Sequence, residues 1–217
     1  MRDVLLPALA AVLMAVASAP AGAQQARSPE ALARAVEQRY AGIRDFSADF
    51  TQVYRSILRA ESRQRGTVAI KKPGRVRWVY TEPDRQEVVS DGVRTYVSSP
   101  EDNLVHVQDV PTGDEASTAD LFLSGRGDIS SDFTPEIVEG PVAGTVGLEL
   151  TPVQPEATYE RLVLAVDPKT LQIRGLTTFD AQGGQSTIQF HNLRENTGLD
   201  DAYFHFQIPR GADVQFN

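Results

Sequence analysis

Hydrophobic positions along this chain change their period several times, and each change marks an element. Val4 to Val16 is a nearly unbroken apolar run, interrupted by Pro7, and Ala21-Gly22-Ala23 follows before Gln24. This is the layout of an export signal with a small-residue cleavage site, and it falls short of the ~20 residues a membrane span needs. Residues 1–23 are therefore read as a cleaved signal peptide and 24–217 as one domain, since no linker-like shift in composition divides it. From Ser28 to Ile43 the period is helical. Ser28 can cap, Pro29 suits the first turn, and Leu32, Val36, Tyr40 and Ile43 recur on one face.

The period changes to two at Phe46, where Phe46, Ala48, Phe50 and Tyr54 alternate with Ser47, Asp49 and Thr51. Val68 and Ile70 share a face before Lys71-Lys72-Pro73-Gly74, a turn signal. Val76, Trp78 and Tyr80 then lie opposite Arg75 and Arg77, so two antiparallel strands are joined by that turn. Short strands are predicted at 87–90, 94–98 and 104–108. The pattern stops between Pro111 and Thr134, where Ser117 to Ser124 reads as a short inserted helix containing Leu121 and Phe122. Strands resume at 147–151, 160–167, 171–179, 186–193 and 203–208. About ten or eleven strands with few crossover helices predict a mainly β, α+β fold, with one large curved antiparallel sheet and its helices gathered on one side.

Composition removes whole classes of function. The 217 residues contain no Cys, which excludes disulfide scaffolds and Cys-ligated metal centres, and 41% hydrophobic content excludes a wholly disordered chain. The 29 acidic against 21 basic residues give a net charge of −8, which disfavours nucleic acid and anionic lipid surfaces. Losing the signal leaves that charge unchanged, because Arg2 and Asp3 leave together. His106, His191 and His205 have no metal-ligand spacing, and no nucleophile elbow, phosphate-binding loop or dinucleotide fingerprint occurs. No enzymatic constellation and no cofactor are expected, and an envelope hydrolase working through a carboxylate pair is the remaining enzyme reading.

Two features call for another explanation. Lys71, Lys72, Arg75 and Arg77 form a basic cluster that serves as a solvated turn, a docking contact or a hydrogen-bonded link to a neighbouring element. Aromatic and aliphatic positions, including Phe50, Val76, Trp78, Tyr80, Phe179, Ile188, Phe190, Phe204 and Phe206, alternate on strands. They form either a filled core or the wall of an apolar pocket, and periodicity does not choose between these.

Several stretches resemble the LolA-type carriers of outer-membrane lipoproteins. They are Phe46-Ser-Ala-Asp-Phe50-Thr-Gln52, the run GTVAIKKPGRVRWVY from Gly66 to Tyr80, Pro83 with Val88-Val-Ser-Asp-Gly92, and Phe204-His-Phe-Gln-Ile-Pro-Arg-Gly-Ala-Asp-Val214. The resemblance implies an incomplete antiparallel β-barrel with a helical lid enclosing a hydrophobic cavity. It implies a non-enzymatic periplasmic chaperone, working as a monomer. The cargo would be acylated lipoproteins taken from an inner-membrane lipoprotein-releasing ABC transporter and passed to a LolB-type outer-membrane acceptor. Phe50, Val76, Trp78, Tyr80, Tyr96, Phe179, Ile188 and Phe190 are the candidate cavity residues. Tyr40, Ile43, Leu121 and Phe122 are candidates for the lid. Lys72 falls on the family's turn arginine, which latches the lid, and offers fewer donors than that arginine would. Two alternatives keep the fold and change the role: a general lipid or glycolipid shuttle, and a lipid-sensing regulator resembling RseB. Such regulators carry a further C-terminal domain, so an end at Asn217 just after the last predicted strand favours the carrier.

Overall fold

The structure is a computed structural model that describes residues 28–56, 59–110 and 128–216. The expected signal at 1–23 and the expected inserted helix, with Leu121 and Phe122, lie outside the described residues. Among the latter, helix α1 spans Pro29–Ala41, and the Ser28 hydroxyl accepts from the Ala31 amide as its N-cap. Strands follow at β1 Asp45–Ser56, β2 Arg59–Lys71, β3 Arg75–Glu82, β4 Gln86–Asp91, β5 Arg94–Ser99 and β6 Leu104–Asp109. A single helical turn, α2 Ile129–Asp132, leads into β7 Phe133–Glu139, β8 Val146–Pro152, β9 Arg161–Val166, β10 Ile173–Phe179 and β11 Gln185–Glu195. A 3₁₀ turn at Asp201–Phe204 precedes β12 Asp213–Phe216.

These strands form one sheet in the order β12-β6-β5-β4-β3-β2-β1-β11-β10-β9-β8-β7. Every pairing is antiparallel except β12 with β6. The hairpins follow from local chemistry. In the β10–β11 turn the Asp180 carboxylate accepts from the Gln182 and Gly184 amides, and Gly183 takes φ +76°, a conformation that glycine adopts without strain. The sheet curls. One buried cluster unites Phe46, Phe50, Val68, Ile70, Leu148, Leu164, Ile173 and Phe190 with Leu32, Val36 and Tyr40 of α1, which a flat sheet could not bring together. Helix α1 lies inside the curve against α2, β7 and β8.

A second apolar layer lies on the outer face. Val89, Val105 and Val107 are almost fully buried there, and the 3₁₀ turn holding the buried Phe204 packs on β3 and β4. This corrects the expected strand at 203–208. Those residues form a turn and an extended strap crossing the convex surface, and the last strand is β12, further along. The sequence reading also passed over β7, an edge strand whose run FTPEIVE contains a proline and has little alternation. Among the described residues twelve strands are present where ten or eleven were expected.

Candidate functional site

The concave face is built in rungs across neighbouring strands. Register places Phe46 beside Ile70 and Val76, then Ala48 beside Val68 and Trp78, then Phe50 beside Gly66 and Tyr80. On its other side Phe50 pairs with Phe190. The Phe50 ring meets Trp78 edge-on at 4.9 Å and Tyr80 at 5.1 Å, and Trp78 lies 6.4 Å from Phe190. Gly66 makes this possible. A Cβ there would fall 1.9 Å from the Val79 carbonyl oxygen and 3.0 Å from the Phe50 ring. Phe50 and Phe190 are buried, whereas Val76, Trp78, Tyr80 and Ile188 remain half-buried, and the apolar surface continues through Val88 and Val97. Six of the eight proposed wall residues are thus brought together.

Tyr96 and Phe179 are not. Tyr96 is in register with Val89 and Arg77, on the opposite face from Trp78, and stacks on Phe206 of the strap at 5.3 Å. Phe179 pairs with Gln185, one residue out of phase with Ser186 and Ile188, and lies under the Arg161 guanidinium at 3.6 Å. Both are corrected to the convex side. Alternation identifies which residues share a face; where both faces are covered, it does not say which face is concave.

Helix α1 is fastened to the sheet at its C-terminal end. Lys72 Nζ donates to the Tyr40 carbonyl oxygen at 2.6 Å, a cation placed at the negative end of the helix dipole. Burial lowers the Lys72 pKa. Arg39 grips Glu195 with both terminal nitrogens, at 3.1 and 2.6 Å, and gives its Nε proton to the Thr170 carbonyl. The Tyr40 hydroxyl accepts from the buried Ile173 amide at 2.9 Å. Burial pushes its phenol up to about 12. Tyr40 and Ile43 are buried in this seam, and the void left among Tyr40, Phe46, Ile70 and Lys72 is about 10 Å³, room for no more than one water. The Arg39–Glu195 clamp escaped sequence reading, because its partners are separated by most of the chain and neither belongs to a motif.

A family model described as outer membrane lipoprotein carrier protein LolA matches residues 41–207. The chain belongs to the LolA family. Among its relatives, an outer-membrane lipoprotein carrier protein of Dechloromonas aromatica is 33% identical over 172 residues, spanning 79% of this chain and 81% of the relative. That of Chromohalobacter salexigens is 32% identical over 177 residues, spanning 79% and 80%. Among solved structures, an uncharacterized conserved protein from Thermus thermophilus shares the fold, with a TM-score of 0.54 at 11% identity over 85% of this chain and 99% of that one. Family membership makes this chain a carrier with lipoprotein cargo and not an enzyme.

In this LolA-family chain the basic cluster ties the structure together. Lys71 donates to the Leu199 carbonyl at 2.6 Å and pairs with Asp201, whose carboxyl it holds below the usual range; Arg75 adds a weaker contact. Arg77 donates to the Tyr203 carbonyl at 2.6 Å and lies over the Tyr203 ring. Of the three readings open from sequence, the hydrogen-bonded link holds: Lys72 fastens the helix, and Lys71, Arg75 and Arg77 fasten the strap. Among the described residues no group of three His, Asp or Glu could hold a metal ion, and no helix is long and apolar enough to cross a membrane.

Proposed function

We propose that the half-buried Val76, Trp78, Tyr80 and Ile188, backed by the buried Phe50 and Phe190, form the wall that receives the acyl chains of lipoproteins in transit through the periplasm. The observation that carries this reading is the partial exposure of Trp78 and its neighbours on the concave face of a family of lipoprotein carriers. The energetic need is large: at about 0.8 kcal/mol per methylene, an acyl chain of about 16 carbons is worth on the order of 10 kcal/mol to shelter from water. Apolar contact is non-directional, so a single wall serves many cargo proteins. The net charge of −8 discourages adsorption to anionic leaflets while cargo is held.

The working form is a monomer of residues 24–217, freed of the signal at 1–23. It is loaded by an inner-membrane lipoprotein-releasing ABC transporter and unloaded to a LolB-type acceptor. Handover runs on differences in affinity between carrier and acceptor. Helix α1 acts as the lid, and Lys72 as its latch, by holding the C-terminal turn until cargo enters. Purification from the periplasm with mass spectrometry of bound material tests the reading. The wild-type protein is expected to bring acylated proteins with it and a folded Trp78→Glu variant to lose them. Full retention by that variant would remove the wall assignment, and recovery of free phospholipid alone would replace the lipoprotein carrier with a general lipid shuttle.

A further inference from the structure

The concave face changes chemistry along its strands, with β1 and β2 turning polar one rung before β11 and β10. Next to α1's C-terminal end the rungs are apolar, ending with Phe50, Gly66, Tyr80 and Phe190. One step toward the β1–β2 hairpin, Gln52 stands between Gln64 and Ile188, with Leu176 beyond. At the next step Tyr54 stands between Ser62 and Ser186, with Thr178 beyond, so that every member carries a hydroxyl. A polar end on a single strand would be ordinary fraying into solvent. Here Gln52, Tyr54, Ser186, Thr178 and Tyr80 are all half-buried, and Tyr80, Gln52 and Ser186 are hydrogen-bonded in a row.

Tyr80 is the hinge of this change. Its ring belongs to the aromatic wall and its hydroxyl donates to Gln52 Oε1 at 3.2 Å. Gln52 Nε2 in turn donates to Ser186 Oγ at 2.9 Å. Desolvation raises the Tyr80 pKa, in keeping with a phenol at the edge of apolar surroundings. Counting capacity, this chain of bonds leaves the second amide proton of Gln52 and the hydroxyl proton of Ser186 uncommitted. Two donors therefore stand where the apolar wall ends. One rung further, beside Ser186, Tyr54 gives its hydroxyl proton to Asp180 at 3.5 Å, a carboxylate that would repel a phosphate there.

We infer that Gln52 and Ser186, oriented by Tyr80, form a head-group subsite for the ester and amide carbonyls that join a lipoprotein's acyl chains to its polar end. This rests on the carrier reading and deepens it by giving the cargo a direction. The acyl chains point toward Phe46 and Ile70 beneath α1, and the polypeptide leaves past Tyr54 and the β1–β2 hairpin. A neutral linkage that accepts hydrogen bonds fits; a phosphodiester in the same place meets the Asp180 carboxylate. The subsite thus favours acylated protein over phospholipid of equal chain length.

The experiment compares two synthetic lipopeptides of identical chain length, one with ester- and amide-linked acyl chains and one with ether-linked alkyl chains. Binding is measured by displacement of an environment-sensitive fluorescent fatty acid. In Gln52→Met and in Ser186→Ala, the ester probe is expected to lose about 3- to 10-fold in affinity, a neutral hydrogen bond's worth, while the ether probe stays within about twofold. Tyr80→Phe, which keeps the ring, is expected to give a smaller loss in the same direction. Melting curves matched to wild type establish that each variant is folded, and the three substitutions supply independent tests should one fail to fold. Equal losses for both probes, or none, with wild type binding both, would overturn the subsite and leave the carrier standing. If wild type binds neither lipopeptide, the carrier reading falls and the subsite with it.

Discussion

Removing one oxygen from Tyr40 tests how α1 is held. In Tyr40→Phe the ring keeps its buried place and the Ile173 amide, buried at the start of β10, loses the oxygen it donates to at 2.9 Å. Leaving a buried N–H without an acceptor costs about 1–3 kcal/mol. The variant should therefore unfold in urea at lower concentration than wild type at neutral pH, with an unchanged slope. The difference must then shrink in alkali. The folded phenol is pushed up to about 12 from an ordinary value near 10. Between those limits the native state holds a proton that the unfolded chain releases, so wild-type stability is full below pH 10 and declines as pH rises through the folded pKa. Two pH units at about 1.4 kcal/mol each amount to roughly 2–3 kcal/mol, enough to erase the wild-type advantage, and the phenylalanine variant has no such titration. Paired urea curves from neutral pH to strong alkali measure the gap, with other lysines and tyrosines common to both proteins cancelling. A gap that stays constant with pH would refute the argument, as would an unchanged midpoint at neutral pH.

Two further substitutions probe the seam and the strap. Lys72→Ala removes the contact on the Tyr40 carbonyl and should cost about 1 kcal/mol, seen as faster amide exchange in the last turn of α1 and faster cargo release, with Lys72→Arg restoring both. Slow exchange retained in the alanine variant would show that Arg39 alone fastens the helix. Phe204→Ala empties a fully buried site under the strap and should cost about 3–5 kcal/mol in urea unfolding while leaving cargo affinity intact, because it lies on the face away from Trp78. Lost affinity without lost stability would place cargo on the convex side instead.

Much of the fold was legible because apolar positions alternate with polar ones at the start of β1 and of β3. Phe46, Ala48 and Phe50, or Val76, Trp78 and Tyr80, announce themselves by period, and Lys72-Pro73-Gly74 announces the turn between β2 and β3. The outer layer was harder. Phe204 and Phe206 alternate with His205 as strand residues do, yet what sets their burial is a strap lying on β3 and β4, with no ladder on either side. Tyr96 and Phe179 were misplaced for a related reason: the outer face also covers aromatic residues, Tyr96 with Phe206 and Phe179 with the Arg161 guanidinium. The helix-holding role of Lys72 was accessible only through family resemblance, whereas Gln52 and Ser186 carried no signal until the pairing of β1 with β11 brought them diagonally together.

The parallel pairing of β12 with β6 sets an order on how the molecule can come together. The strand at Leu104–Asp109 receives its outer neighbour from Asp213–Phe216, and β1 waits for β11, so neither flank of the sheet finishes until nearly all of these residues are present. While the ribosome is still making the stretch that holds them, Val89, Val105 and Val107 have no strap to cover them, and the growing chain stays open and sticky. The cover arrives last, so the apolar outer layer closes only once the chain is nearly whole. For export to the periplasm, as proposed above, a seal made of late residues suits a chain that threads through a narrow channel before it folds.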